Sequence, residues 1–139
     1  MANTTFNGPV TSQNGFITGH QVTAANAINA TATATAAQVA SGYITSTSVG
    51  TVSITLPTGT LLGAALSATQ GTTLDLFIDN TAGASVVTVV VAVNGILSTA
   101  AADTSGSFGD LTIAAGATGL ARFTIMFSSA TAYVFTRTA

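Results

Sequence analysis

The sequence predicts an all-β fold, an antiparallel β-sandwich of jelly-roll type preceded by an extended N-terminal arm. Apolar and polar residues alternate in several short segments, the period-two pattern of a half-buried strand. These segments recur about every ten residues with Gly- and Asn-rich turns between them, the spacing of a sandwich or barrel. The polar partner in the alternation is mostly Thr, which occurs 27 times in 139 residues. Its β-branched side chain suits a pleated surface, and its hydroxyl can face water or a neighbour on the next strand.

Residues 1–22 are expected to form the arm and residues 23–139 a single domain, because no boundary or linker is visible after residue 40. Residues 23–40 are low in complexity, with Thr31-Ala32-Thr33-Ala34-Thr35-Ala36 at their centre. That alternation favours a strand with only methyl groups on one face. The Ala content makes a helix over residues 24–40 the rival, opposed by Asn26, Asn29 and the Thr residues. Residues 51–56 alternate cleanly and stop at Pro57. Residues 74–79 place Leu74, Leu76 and Ile78 on one face of a second strand. Residues 80–84, Asn-Thr-Ala-Gly-Ala, carry turn chemistry, and the β-branched run 86–93 ends at Asn94-Gly95. These two strands and their turn are expected to form a hairpin. Further along, 111–113 is a short strand and 114–119 a loop. Residues 120–127 set Phe123, Ile125 and Phe127 on one face and Arg122, Thr124 and Met126 on the other. Residues 128–130 turn the chain into a closing strand, 133–137.

Composition excludes several function classes. Two Arg and four Asp are the only residues with permanent charge, 4% of the chain where about 25% is usual. Without Cys there is no thiol chemistry, disulfide framework or thiolate metal site. Two cationic side chains are too few for electrostatic binding to nucleic acid or to an anionic membrane. A mean hydropathy of +0.62 with a net charge of −2 argues against disorder. The apolar run 86–93 falls far short of the roughly 20 residues of a membrane-spanning helix. Met1-Ala2-Asn3-Thr4-Thr5 lacks the basic start and apolar segment of a secretory signal, so synthesis and folding in the cytoplasm are expected.

No catalytic, cofactor or metal site is expected, and the chain does not read as an enzyme. His20 would have to be the base of any Ser-His-Asp triad, but no Gly-x-Ser-x-Gly elbow accompanies it. Asp75 and Asp79 share one strand face about 13 Å apart, beyond the usual separation of a glycosidase pair. Residues 103–110, Asp-Thr-Ser-Gly-Ser-Phe-Gly-Asp, are the most ligand-like stretch but have fewer carboxylates than a calcium loop uses; a surface loop is the plainer reading. The sequons at Asn3 and Asn29 are what a Thr-rich chain contains by chance. A phosphate-binding loop needs a Lys, and there is none. Phe6, Phe16, Phe77, Phe108, Phe123, Phe127 and Phe135 are spread out as core residues or interface anchors rather than as a base-stacking platform.

An ordinary domain keeps its copies apart with interspersed surface charge. This chain must instead expose Thr, Ser, Asn, Gly and Ala, with sheet edges that no Lys guards. Such a surface favours association, and a closed symmetric oligomer covers it most economically. Assembly should depend weakly on ionic strength.

The opening Thr5-Phe6-Asn7-Gly8-Pro9-Val10-Thr11-Ser12-Gln13-Asn14-Gly15-Phe16 resembles the start of small structural proteins of tailed phages, notably marine and cyanobacterial ones. Gly50-Thr51-Val52-Ser53-Ile54-Thr55-Leu56-Pro57 and Leu111-Thr112-Ile113-Ala114-Ala115-Gly116 are similar to strands of the same kind of protein, though generic in spelling. The opening motif covers about a dozen residues. The resemblance implies a capsid decoration, or cement, protein on the exterior of the virion, often a homotrimer. Such a subunit clamps neighbouring major capsid proteins against internal DNA pressure. Fibre and minor virion proteins share these features, so a tail-fibre or receptor-binding component recognising a host glycan is the alternative. Gly8-Pro9 and Asn14-Gly15 are turn pairs that would place Phe6, Val10, Phe16 and Ile17, with Pro9, as interface anchors on an extended arm. The competing reading makes Phe6 and Phe16 the start of the protein's own sheet.

Overall fold

A computed structural model of the chain describes residues 26–97 and 111–139. The period-two segments become strands, in the order β1 (Ala32–Thr33), α1 (Ala36–Ala40), β2 (Tyr43–Thr45), β3 (Val52–Thr55), α2 (Gly59–Leu66), β4 (Thr73–Asp79), β5 (Val87–Val90), β6 (Gly95–Leu97), β7 (Thr112–Ile113), β8 (Leu120–Ser129) and β9 (Ala132–Arg137). The chain is mostly β, with two helices and a 3-10 turn at Gly116–Thr118. Two sheets form, one in the order β1-β3-β5-β7 and the other β2-β4-β8-β9-β6.

Alternation decides which side chains meet. Val52, Ile54, Val87, Val89 and Ile113 point inward from the four-stranded sheet, and Ile44, Leu76, Ile78, Phe123, Ile125 and Phe127 from the five-stranded one. All belong to a single core. At its centre Phe123 and Phe135 stack with ring centroids 4.8 Å apart, and Phe127 meets Tyr133 edge-on at 5.9 Å. Arg122, Thr124 and Met126 take the opposite face of β8, as the spacing requires.

Tyr133 is fully buried and its hydroxyl donates to the Pro57 carbonyl at 3.0 Å. Burial pushes this hydroxyl up from an ordinary 10.0 to about 12, with the Ala92 backbone opposing. The folded state therefore holds the proton more tightly than the unfolded chain. The associated stability is complete below about pH 10 and is lost as pH rises towards 12, about 2–3 kcal/mol in all. Denaturant titrations across that window should show the loss, and Tyr133→Phe should remove this share of it.

Three expectations meet corrections. The pairing is not purely antiparallel: β1 and β3, β3 and β5, β2 and β4, and β6 and β9 run parallel. Successive strands from β1 to β8 fall in alternate sheets. Over the first five strands each crossover brings the chain back in its original direction, so β1, β3 and β5 are parallel neighbours, as are β2 and β4; β5 and β7 pair antiparallel. Nor do β4 and β5 form a hairpin. β4 is flanked by β2 and β8, and β5 by β3 and β7, so neither has a free edge for the other. The turn residues after Asp79 carry the chain between sheets instead. Buried Asn80 pins that crossing: its Nδ2 donates to the Ser85 and Ala114 carbonyls at 2.8 and 2.9 Å.

The low-complexity segment is neither one strand nor one helix. Beyond the two-residue β1, Thr35 caps α1 in a reciprocal pair, with Gln38 N–H donating to Thr35 Oγ1 at 3.2 Å and Thr35 N–H to Gln38 Oε1 at 2.9 Å. A helix of five residues owes its existence to that capping and to buried Val39. β2, α2 and β6 are additional elements that alternation did not reveal.

Candidate docking surface

The described charged side chains are Asp75, Asp79, Arg122 and Arg137. Three lie on the outer face of the five-stranded sheet. Arg122 pairs with Asp75 at 3.0 Å, and Thr124 donates to the same carboxylate at 2.9 Å. Both partners are well exposed, so the pair contributes little stability. Asp79 accepts from the Thr81 hydroxyl and the Tyr43 hydroxyl, both at 2.6 Å. These bonds, Thr81 first, hold its carboxyl below the ordinary range, and the Asp79 contact in turn raises Tyr43. The two carboxylates are thus held by separate partners along one strand. Arg137 sits at the end of the core, 6.0 Å from the Phe123 ring centroid, and reaches across to the Thr112 carbonyl at 2.9 Å. It ties β9 of one sheet to β7 of the other.

The end built around α2 is different. Pro57 ends β3, and the Thr58 side chain accepts from Leu61 N–H to start the helix. Gly59 and Gly63 face the β8–β9 turn, where a Cβ at either position would collide with the backbone of Thr131 or Ala130. The glycines let the helix lie directly on the hairpin, burying Leu62 between them. The opposite face must then point outward, and it carries Leu61, Ala64 and Ala65 with no charge in the first or last turn. A surface helix ordinarily puts charged residues there.

Grooves flank this helix. One, of about 530 Å³, runs between the α1 entry (Thr33, Thr35, Ala36) and the β3–α2 connection (Thr55, Pro57, Thr58), with Leu61 and Ala92 completing it. The second, about 340 Å³, lies between Ala64 and Ser67 of the helix end and Ala130 and Thr131 of the hairpin turn. Backbone bonds from Gly59 N–H to Val93 O and from Leu56 N–H to Val90 O bring two more apolar side chains alongside. Leu61 is 60% exposed and Val93 72%. Exposed apolar side chains gathered about a groove mark an interaction surface more than a chance distribution does.

No family model, curated protein or solved structure matches the chain.

The arm anchors Phe6, Pro9, Val10, Phe16 and Ile17 lie outside the described residues, as do His20, the loop 103–110, Phe108 and the sequon at Asn3. The sequon Asn29 is exposed, and its Oδ1 accepts from Thr47 N–H at 2.8 Å. Phe123, Phe127 and Phe135 are core residues, while Phe77 is half-buried on the outer face of β4, in register with Tyr43 and Arg122. Among the described residues, no three ligand-type side chains gather to hold a metal, and no helix is long and apolar enough to cross a membrane. Sequence reading missed the α2 end. Its one signal was the uncharged run Leu61-Leu62-Gly63-Ala64-Ala65-Leu66 following Pro57-Thr58.

Proposed function

We propose that this chain is a virion structural protein, a capsid decoration (cement) subunit that binds the outer surface of a phage head and stabilises the shell by protein–protein contacts alone. The observation that carries the reading is the uncharged apolar end around α2 on a chain with 4% charged residues. A surface of this kind is suited to being covered, and the opening phage-like motif supplies the context. The subunit self-associates, as a homotrimer, and engages the major capsid protein through Phe6, Pro9, Val10, Phe16 and Ile17. It needs no cofactor, metal or nucleic acid. A jelly-roll-type sandwich belongs to this proposal in one respect: successive strands alternate between two sheets that share a core.

Binding to the closed shell and not to its disrupted form raises the disruption temperature by mass action. Virions lacking the protein should therefore open at lower temperature and regain stability when it is added back. Unchanged disruption with no bound density in negative stain overturns the reading. Deleting residues 1–19 should abolish shell binding while the oligomer persists; loss of folding would instead make Phe6 and Phe16 part of the sheet.

A second reading, a tail-fibre or receptor-binding component, is favoured by one feature. Tyr43 and Phe77 adjoin on an outer sheet face that also carries Asp75, Asp79 and Thr124, the mix of aromatic and polar groups that holds a sugar. Glycan binding lost in Tyr43→Ala would favour it.

A further inference from the structure

We infer that the α2 end is where copies of this chain meet, with Leu61 of each copy seated in the groove beside Pro57 of another. The inference rests on the assembly proposed above and names the surface that makes it.

Charge comes first. Among the described residues, the ionised side chains lie on the five-stranded sheet or at the end of β9, and none lines either groove. A partner bringing Lys, Arg, Asp or Glu to this surface would bury that charge without a counter-ion, which costs several kcal/mol. The matching partner is an uncharged apolar surface, and another α2 end is one. Shape agrees. A ridge formed by Leu61, Ala64 and Ala65 stands between two grooves, so each copy offers both a knob and a hole. The small residues allow close approach of a second helix. The patch is small. Twelve half-buried or exposed residues line the two grooves, and with Ala65, Val90 and Val93 it stays below the roughly 20–30 residues a side of a standard interface, the range of a weaker contact. Each copy can give Leu61 to one neighbour and receive it from another, the head-to-tail contact that a cyclic trimer needs.

The absence of Cys makes a direct test possible. Ala65→Cys places a lone thiol on the exposed α2 face, and Val49→Cys places one before β3, at the end of that strand away from α2. A short bis-maleimide should link copies through the first and leave the second unlinked. Adding Leu61→Asp to the Ala65→Cys chain should abolish the links and weaken association at least about thirtyfold, as for a central anchor. The chain should stay folded, with an unchanged far-UV circular dichroism spectrum, since Leu61 is mostly exposed in the single subunit, while the melting temperature falls to that of the dissociated parent. Linking that survives Leu61→Asp, or no linking in a chain that is still oligomeric, overturns the inference while leaving assembly intact. Linking that appears only after residues 1–19 are removed also overturns it, because the chain's own N-terminal segment is then the occupant. A monomeric parent chain would instead defeat the assembly reading itself.

Discussion

Replacing Asn80 with Asp should remove about 3–5 kcal/mol of stability at neutral pH and restore much of it in acid. Asn80 is fully buried where the chain crosses from β4 to β5. Its backbone is already committed, with N–H donating to Gly119 O at 2.7 Å and the carbonyl accepting from Gly83 N–H at 3.0 Å. Its side-chain amide holds the Ser85 and Ala114 carbonyls, joining the crossover to the loop after β7. A carboxylate there would turn an acceptor towards two acceptors and bury a charge. The introduced carboxyl would titrate well above its unfolded value of about 3.9, because folding favours its neutral form. The sign follows directly. Below about pH 4 both states are protonated and the penalty is smallest; it grows as pH rises through the folded-state value. Urea titrations of variant and parent at acid and neutral pH test this as a difference of differences. A loss that is the same at both, or below about 1 kcal/mol, contradicts the role given to Asn80.

Gly63→Ala should cost about 2–3 kcal/mol despite the better helix propensity of Ala. The new methyl would overlap the Ala130 carbonyl and lie 3.3 Å from the Phe127 ring. The closest atom is backbone and cannot swing aside, so α2 must lift or the β8–β9 turn must shift. Gly59→Ala meets the same hairpin through Thr131 and also the Asn94 carbonyl at 2.7 Å. Gly50→Ala is the control, since nothing lies within 4 Å of a Cβ there. Thermal denaturation should lower the midpoint for Gly63→Ala by several degrees and leave Gly50→Ala within about 0.5 kcal/mol of the parent. Equal behaviour of the two variants contradicts the close seating of α2. Because Leu61 rides on the same helix, Gly63→Ala should weaken association too.

The strands that sequence located well are those with large apolar side chains at every second position. Phe123, Ile125 and Phe127 in β8 and Val52 and Ile54 in β3 admit one burial pattern, and a shift of one residue would expose them all. Partner choice was not legible in the same way. Asn80 and Gly83 announce a reversal, but whether β5 returns to its own sheet or crosses depends on which edges are already filled, here by β2 and β8. The hairpin expectation failed for that reason. α2 escaped notice because Gly59 and Gly63 look like turn residues until the Ala130–Thr131 backbone is placed against them. The candidate surface inherits this difficulty. Each of Leu61, Val90, Ala92 and Val93 is ordinary in its own segment, and backbone bonds at Leu56 and Gly59 are what assemble them.

The measurement that bears most directly on the account is the mass of the purified chain in dilute solution, by light scattering at micromolar concentration. The account predicts a defined small multiple of 13.6 kDa. That mass should hold from about 50 mM to about 500 mM salt, since the contacts carry no charge. A stable species of 13.6 kDa under those conditions would contradict it.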